Sequence, residues 1–209
     1  MRLLNVFQPG LVRGSAKLPH DPEKAYAYVE HPTEGWRVYL RTATFLHPSK
    51  KPFQAREFLV VKRAGADRRS ATWEPPKGQM EGKDLLRKPD VPLLALRKDS
   101  ARREIEEESF VDRVTSLTHT TQVFQSQEAS YPANHYFQYH VFQGTVDPST
   151  LKKAFDMFDW IHAHPKAFAR FSRDRREKDA MDWFDPRRTR LNPRWCPAIV
   201  YTYLKEHDT

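Results

Sequence analysis

The sequence predicts a single α/β domain. Strand-like runs rich in β-branched and aromatic residues alternate along the chain with stretches whose apolar residues recur at helical spacing. A length of 209 residues suits one substantial domain and is short for two. A hydrophobic fraction of 39%, with five Trp and thirteen Phe, is enough for a packed core. No internal repeat or low-complexity tract interrupts it.

In chain order, residues 1–20 carry Arg2, Arg13 and Lys17 and no acidic residue. Transit peptides share that acid-poor character. Pro9, Gly10 and Pro19 interrupt any amphipathic helix, serine is scarce, and a secretory apolar core is missing. Residues 1–24 are therefore read as a basic arm or a first strand, and 25–209 as the domain proper. Ala25 to Val29 is a short strand candidate, and Trp36 to Leu46 alternates like a longer one. Residues 47–52 form a loop. Glu57 to Lys62 fits a central strand, and 64–70 a polar turn. Residues 73–84 are read as a loop, because Pro75 and Pro76 forbid a helix. Lys77-Gly78 and Gly82 permit main-chain shapes that bring backbone groups close to a metal or a phosphate.

A charged connector follows at 84–90. Pro92 then suits a first helical turn, with Asp90 as a possible cap, and Leu93, Leu94, Leu96, Ala101 and Ile105 predict a helix over about 92–109. Val114 to Gln125 and His135 to Val146 read as two long strands flanking a loop that holds Glu128 and Pro132. Residues 149–155 form a short helix candidate and 195–206 a terminal one, anchored by Trp195, Val200, Tyr203 and Leu204.

The chemistry concentrates in Arg103-Glu104-Ile105-Glu106-Glu107-Glu108. On a helix Glu104, Glu107 and Glu108 stand at i, i+3 and i+4 and share a face. Carboxylates this close repel, and a hard cation such as Mg²⁺ would relieve the repulsion. Alone, the run reads first as a solvated acidic face. Glu106 lies off that face, as an ordinary surface charge.

Gly78, Asp84 six positions on, and Arg103-Glu104-Ile105-x-Glu107-Glu108 together resemble the Nudix hydrolase signature, Gly-x5-Glu-x7-Arg-Glu-U-x-Glu-Glu-x-Gly-U, where U is a bulky apolar residue. Pro76-Lys77-Gly78-Gln79-Met80-Glu81 resembles the lead-in common in that family, and Ala101 fits the small residue before the Arg. The box spans 78–111. There are three departures. Asp84 stands for Glu. Eighteen residues separate Asp84 from Arg103 where the family has seven, an insertion of 11 at about 85–99 that is expected to lengthen the loop and the first helical turns. Phe110 stands for the Gly whose left-handed turn ends the helix, which puts the helix end in question.

The resemblance implies a Nudix-like α/β/α sandwich with a mixed sheet and metal-assisted hydrolysis of a diphosphate linkage. Glu104, Glu107 and Glu108 would be Mg²⁺ ligands (Mn²⁺ being the alternative), with Glu104 a ligand or the general base and the Gly78 carbonyl a further ligand. Arg103 would orient the glutamates, and Asp84 would support them. Lys62, Lys77, Glu128, Tyr131 and Tyr136 are candidates for substrate binding, the tyrosines as stacking partners or simply packing residues. The lead-in is most similar to dinucleoside polyphosphate hydrolases. The formal charge of +8 suits an anionic partner, so capped RNA and diphosphoinositol polyphosphates stay open as substrates. A catalytically silent RNA-binding or assembly subunit also stays open. Residues 166–194, with ten Lys or Arg against five Asp or Glu, have the features of a basic face. The nine His form no ligand cluster, and His162-x-His164 is read as a turn. Cys196, the only cysteine, excludes an intramolecular disulfide and favours a reducing compartment, the cytoplasm, with nucleus and mitochondrion left open. No apolar run is long enough for a membrane span. The sequence does not address oligomeric state.

Overall fold

Strand β3 (Arg37–Pro48) has no polar face, for every residue from Val38 to His47 is buried. A strand covered on both sides belongs at the centre of a sheet with helices on each face, and that is where the computed structural model, which describes residues 2–19 and 21–207, places it. Introducing β1 (Val12–Leu18), β2 (Asp21–Glu30), β7 (Ser116–Ser126) and β8 (His135–Val146), the sheet runs β1-β2-β3-β8-β7. The short strand β6 (Lys77–Gln79) pairs with β3 beyond the end of β2. The β3–β8 pair is parallel and the others are antiparallel, so the sheet is mixed as expected. A second, antiparallel sheet is ordered β5 (Trp73–Glu74), β4 (Leu59–Arg63), β9 (Lys178–Trp183). The expected central strand at 57–62 is thus central, but in this smaller sheet.

The alternation of β3 assigns the helices. Tyr39, Ala43 and Phe45 pack with Val200 and Tyr203 of the terminal helix, and the Phe45 and Tyr203 rings stack with centroids 3.7 Å apart. Val38, Leu40 and Leu46 face the glutamate-bearing helix, meeting Leu93, Leu96, Ala101 and Ile105. Short helix α1 (Gly82–Leu86) precedes that helix, α2 (Leu93–Ser109); α3 (Pro148–Ala163), α4 (Pro165–Phe168) and the terminal α5 (Cys196–His207) follow. Helix α3 packs on the α2 side through Leu151, Ala154, Phe158 and Ile161. Helices therefore cover both faces, an α/β/α arrangement. Among the described residues, no helix is long and apolar enough to cross a membrane.

Several local expectations are corrected. Residues 1–24, read as an arm or a first strand, contain β1 and the opening residues of β2, which therefore starts ahead of the expected Ala25. Residues 73–84 hold two short strands around Pro75-Pro76, because β4 and β3 offer edges on either side. The connector at 84–90 includes part of α1, whose Leu85 is fully buried. Pro92 occupies the cap of α2 with no side-chain cap bond, so Asp90 does not serve there. Helix α3 runs well past 155, started by Asp147, whose carboxylate accepts the Ser149 and Thr150 amides at 3.0 and 3.1 Å. His162 lies in its last turn, and His164 caps it. Strand β9 was not anticipated.

Phe110 resolves the question of the helix end. Its backbone takes the left-handed conformation, φ 56° and ψ 16°, so α2 stops where a glycine would stop it. A non-glycine residue there costs about 1 kcal/mol. The buried ring offsets this, meeting Phe158 edge-on at 5.2 Å with the Arg175 guanidinium 5.3 Å from its centre.

Phe110→Gly should relieve the backbone cost yet lose the ring, for a net loss of about 2–4 kcal/mol in denaturant unfolding; an unchanged midpoint would mean the ring contributes nothing. His47 supplies a pH test. It is buried with Nε2 2.7 Å from the Tyr203 hydroxyl, and burial pushes its pKa down to about 4. The unfolded chain binds the extra proton, so this contribution is present above about pH 6.5 and is lost as pH falls through 4. Unfolding free energy measured from pH 7 to 4 should drop, and His47→Gln should flatten that slope.

Candidate active site

The inward face of α2 opens onto a cavity of about 330 Å³. Glu104, Glu107 and Glu108 line it together, and Glu106 does not, as the helical spacing requires. The facing wall is β6. Its Gly78 passes so close to α2 that a Cβ there would overlap the Glu104 carboxylate. Gly78 has no left-handed φ, so glycine is needed for close approach and not for backbone shape. Gly78 is paired with Thr42, between the Thr44 N–H to Pro76 and Met80 N–H to Leu40 bonds. Ladder alternation turns its carbonyl toward Thr42. The next amide, Lys77 N–H, points the other way and donates to Glu108 Oε2 at 2.8 Å.

Cations bind the carboxylates from two sides. The Arg103 guanidinium pairs with Glu104 at 2.9 Å and donates to Glu107 at 2.8 Å, with Glu81 and Asp84 at 3.6 and 3.7 Å. From β9, buried Lys178 donates to Glu74 of β5 and lies 3.0 Å from Glu108. Lys77 pairs with Glu74 at 3.2 Å. Across the cavity, Lys24 pairs with Asp174 at 2.7 Å, and Arg173 donates to Asp21 at 2.7 Å. Arg41 and Arg194 both donate to Glu128, at 3.0 and 2.6 Å.

Protonation follows from burial. Burial pushes Glu104 up to about 8 against the pull of Arg103, and the like charges of Glu108 and Glu107 add to it. Burial raises Glu108 as well, opposed by Lys178. Glu74 is buried too, but Lys77 and Lys178 outweigh the desolvation and hold it below the usual carboxylate range. The two acids share one lysine, and Glu74 keeps the charge.

The donor set fits a hard divalent cation in kind and in charge. Its ligand atoms are carboxylate oxygens. The lining carries nine carboxyl groups against seven cationic side chains, a deficit that one divalent ion would fill once Glu104 and Glu108 lose their protons beside it. Among the described residues, however, no three His, Cys, Asp or Glu side chains are gathered as a ready metal site. Arg103 and Lys178 hold the glutamates instead.

Of the other sequence candidates, Lys77 and Glu128 line the cavity. Tyr131 stands behind it, its hydroxyl accepting from Arg41 at 3.0 Å. The structure does not bring Lys62 or Tyr136 there. Lys62 is buried against Asp179 at 2.6 Å and the Ala66 carbonyl, and Tyr136 packs beside the Val38 and Leu40 cluster. Sequence reasoning missed Glu74, Lys178, Asp174 and Glu177. Glu81 lay within the quoted lead-in and Glu74 two positions ahead of it, and both could have been singled out. Lys178 offered no signal.

No family model matches the sequence, and no curated protein matches it. A solved structure described as a NUDIX hydrolase from Nitrosomonas europaea is similar over 81% of this chain and 90% of that one, at 15% identity and a TM-score of 0.43. The functional reading rests on the residues of the cavity and not on this distant likeness.

Lys178→Met would leave Glu74 and Glu108 buried with one cation fewer. It should cost about 3–5 kcal/mol in chemical denaturation, and adding Glu108→Gln should recover part of the loss. A purely additive double mutant would show that the pair is not coupled.

Proposed function

We propose that the chain is a Nudix-type pyrophosphohydrolase that uses Mg²⁺, or Mn²⁺ in its place, to cleave the diphosphate linkage of a nucleoside polyphosphate, either a dinucleoside polyphosphate or a capped RNA. One observation carries this reading. Parts of the motif far apart in sequence meet at one cavity, with Gly78 seated against the Glu104 carboxylate, the Lys77 amide on Glu108, and Arg103 between Glu104 and Glu107.

Glu107 and Glu108 would hold the metal, joined by Glu104. Bound there, the metal supplies charge neutralisation for the diphosphate and a lowered pKa for the attacking water. The protein's own groups do the rest. Arg103 keeps Glu104 and Glu107 oriented by charge-assisted contacts. Glu104 could accept a proton only after losing its own, which a neighbouring positive charge favours. Lys24, Arg41, Arg173 and Arg194 stand around the cavity as cations suited to the other phosphates of a substrate. The ion pairs that Arg103 and Lys178 already make with these glutamates favour a second reading, a Nudix-like protein that binds such ligands without cleaving them.

The discriminating experiment incubates the protein with Mg²⁺ and, separately, diadenosine tetraphosphate, capped RNA and a diphosphoinositol polyphosphate, with product release followed by chromatography. One of the first two should be cleaved. Glu107→Gln and Glu108→Gln should each lower kcat by about two orders of magnitude, ~2.7 kcal/mol of barrier. Gly78→Ala, which displaces the Glu104 carboxylate, should lower kcat by a similar factor. Cleavage persisting in both glutamine variants would refute the assignment. Preference for the inositol compound would replace the nucleotide reading, and no cleavage of any compound would favour binding alone.

A further inference from the structure

We propose that a second concavity, separate from the acidic cavity, is a binding track for single-stranded nucleic acid. It lies between the turn at 67–70 and the segment 182–190 and encloses about 780 Å³. Arg68, Arg69, Arg187, Arg188 and Arg190 surround it, all exposed, against the two carboxylates Asp182 and Asp185. Neither carboxylate neutralises its neighbour closely, for Arg68 stands 3.9 Å from Asp182 and Arg188 3.6 Å from Asp185. Among the described residues, Arg69, Arg187 and Arg190 make no ion pair.

Three features select the ligand. Every cation in the track is arginine, whose planar fork grips phosphate through two donors and also lies flat on a base. Aromatic surface is interleaved with the arginines, since half-buried Trp183 and Phe184 both line the track. Unpaired bases stack on such surfaces, whereas paired bases cannot reach them. The concavity is also larger than a lone phosphate needs.

Both walls are held by their own hydrogen bonds. In the first, the Trp73 indole N–H donates to the Arg68 carbonyl at 2.9 Å, and the Arg69 amide donates to Asp67 at 2.7 Å. In the second, the Asp185 amide donates to the Thr189 hydroxyl at 2.9 Å, and the Arg187 amide donates to the Asp185 carboxylate at 2.8 Å. The Trp73 amide donates to the Arg190 carbonyl at 3.2 Å and clips the walls together. The arginines therefore project from preformed turns, which lowers the ordering cost of binding. This proposal stands whether or not the acidic cavity is catalytic.

The test is fluorescence anisotropy with a labelled, unstructured 20-nucleotide RNA across 50–200 mM salt. The full chain should bind it, and bind a duplex of the same length more weakly. Arg187→Glu with Arg188→Glu should weaken RNA binding at least tenfold and reduce the slope of log affinity against log salt by about two. Lys152→Glu with Lys153→Glu makes the same charge change on exposed α3 and should alter affinity less than threefold. Trp183→Leu, checked for an unchanged fold by circular dichroism, should weaken RNA several-fold while leaving binding of an inorganic polyphosphate unchanged. Glu107→Gln should bind RNA like the parent, which keeps this test apart from that of hydrolysis. Equal losses in the two double variants would reduce the effect to net charge and overturn the proposal. So would full affinity in the arginine variant, or inorganic polyphosphate displacing RNA with no effect of Trp183→Leu.

Discussion

The site rests on the burial of carboxylates. Glu104 and Glu108 stand against β6 and β9, largely withdrawn from water, and removing such a charge from solvent costs several kcal/mol unless it is paired. The arrangement around them meets that cost. Arg103 comes from the turn of the same helix, and an amide donor comes from Lys77. A lysine comes from a strand about seventy residues downstream. The smaller sheet makes this last contact. Strand β4 pairs with β5 on one side and β9 on the other, which lets Glu74 and Lys178 converge on Glu108. Where the pairing is incomplete the proton is retained, which is why Glu104 stands near 8 while well-paired Glu74 stays ionised.

What the sequence made legible was what local spacing determines. Helix α2 and its shared face of three glutamates follow from the 3.6 period, and β3 was legible as a strand from its alternation. Its burial on both sides was not, because alternation predicts one covered face and the second comes from the packing of α2 and α5. The joining of Gly78 to Glu104 was expected from family resemblance, but its reason, a contact too close for any Cβ, belongs to the tertiary structure. Lys62 and Lys178 show where the reading stops. Both lie on strands of the smaller sheet and both are buried cations. Which one reaches the cavity depends on the pairing of Arg63 with Lys178 past a register shift, and that is not written in either segment. The short strands β5 and β6 were hidden for the same reason. At two and three residues they exist only because β4 and β3 present edges to them.

The extra residues between Asp84 and Arg103 have a structural use. They supply the end of α1 and the opening turns of α2, whose Leu93 and Leu96 join Leu85 and Met80 over Val38 and Leu40. They also bring in Arg97, fully buried, which donates to the Arg41 carbonyl at 2.5 Å; burial lowers its pKa to about 9. The Arg41 side chain leaves from the same residue to hold Glu128. The insertion thus braces the backbone of a cavity residue from behind without entering the cavity. Phe110 closes the same helix at its other end by a ring contact that a glycine could not make.

Strand β5 separates the acidic cavity from the arginine track. Its two residues face opposite ways, as successive strand residues must; Glu74 lines the first and Trp73 the second. The segment after the track is tied to both. The Asn192 amide donates to the Trp73 carbonyl at 2.9 Å, and its side chain donates to Glu74 at 3.1 Å. Two residues further, Arg194 holds Glu128 at the cavity. The two concavities share strand β5 as a common wall. A change in β5 itself must disturb both, whereas the tips at Arg187 and Arg188 lie beyond the Asp185–Thr189 turn and can be altered with Glu74 left in place.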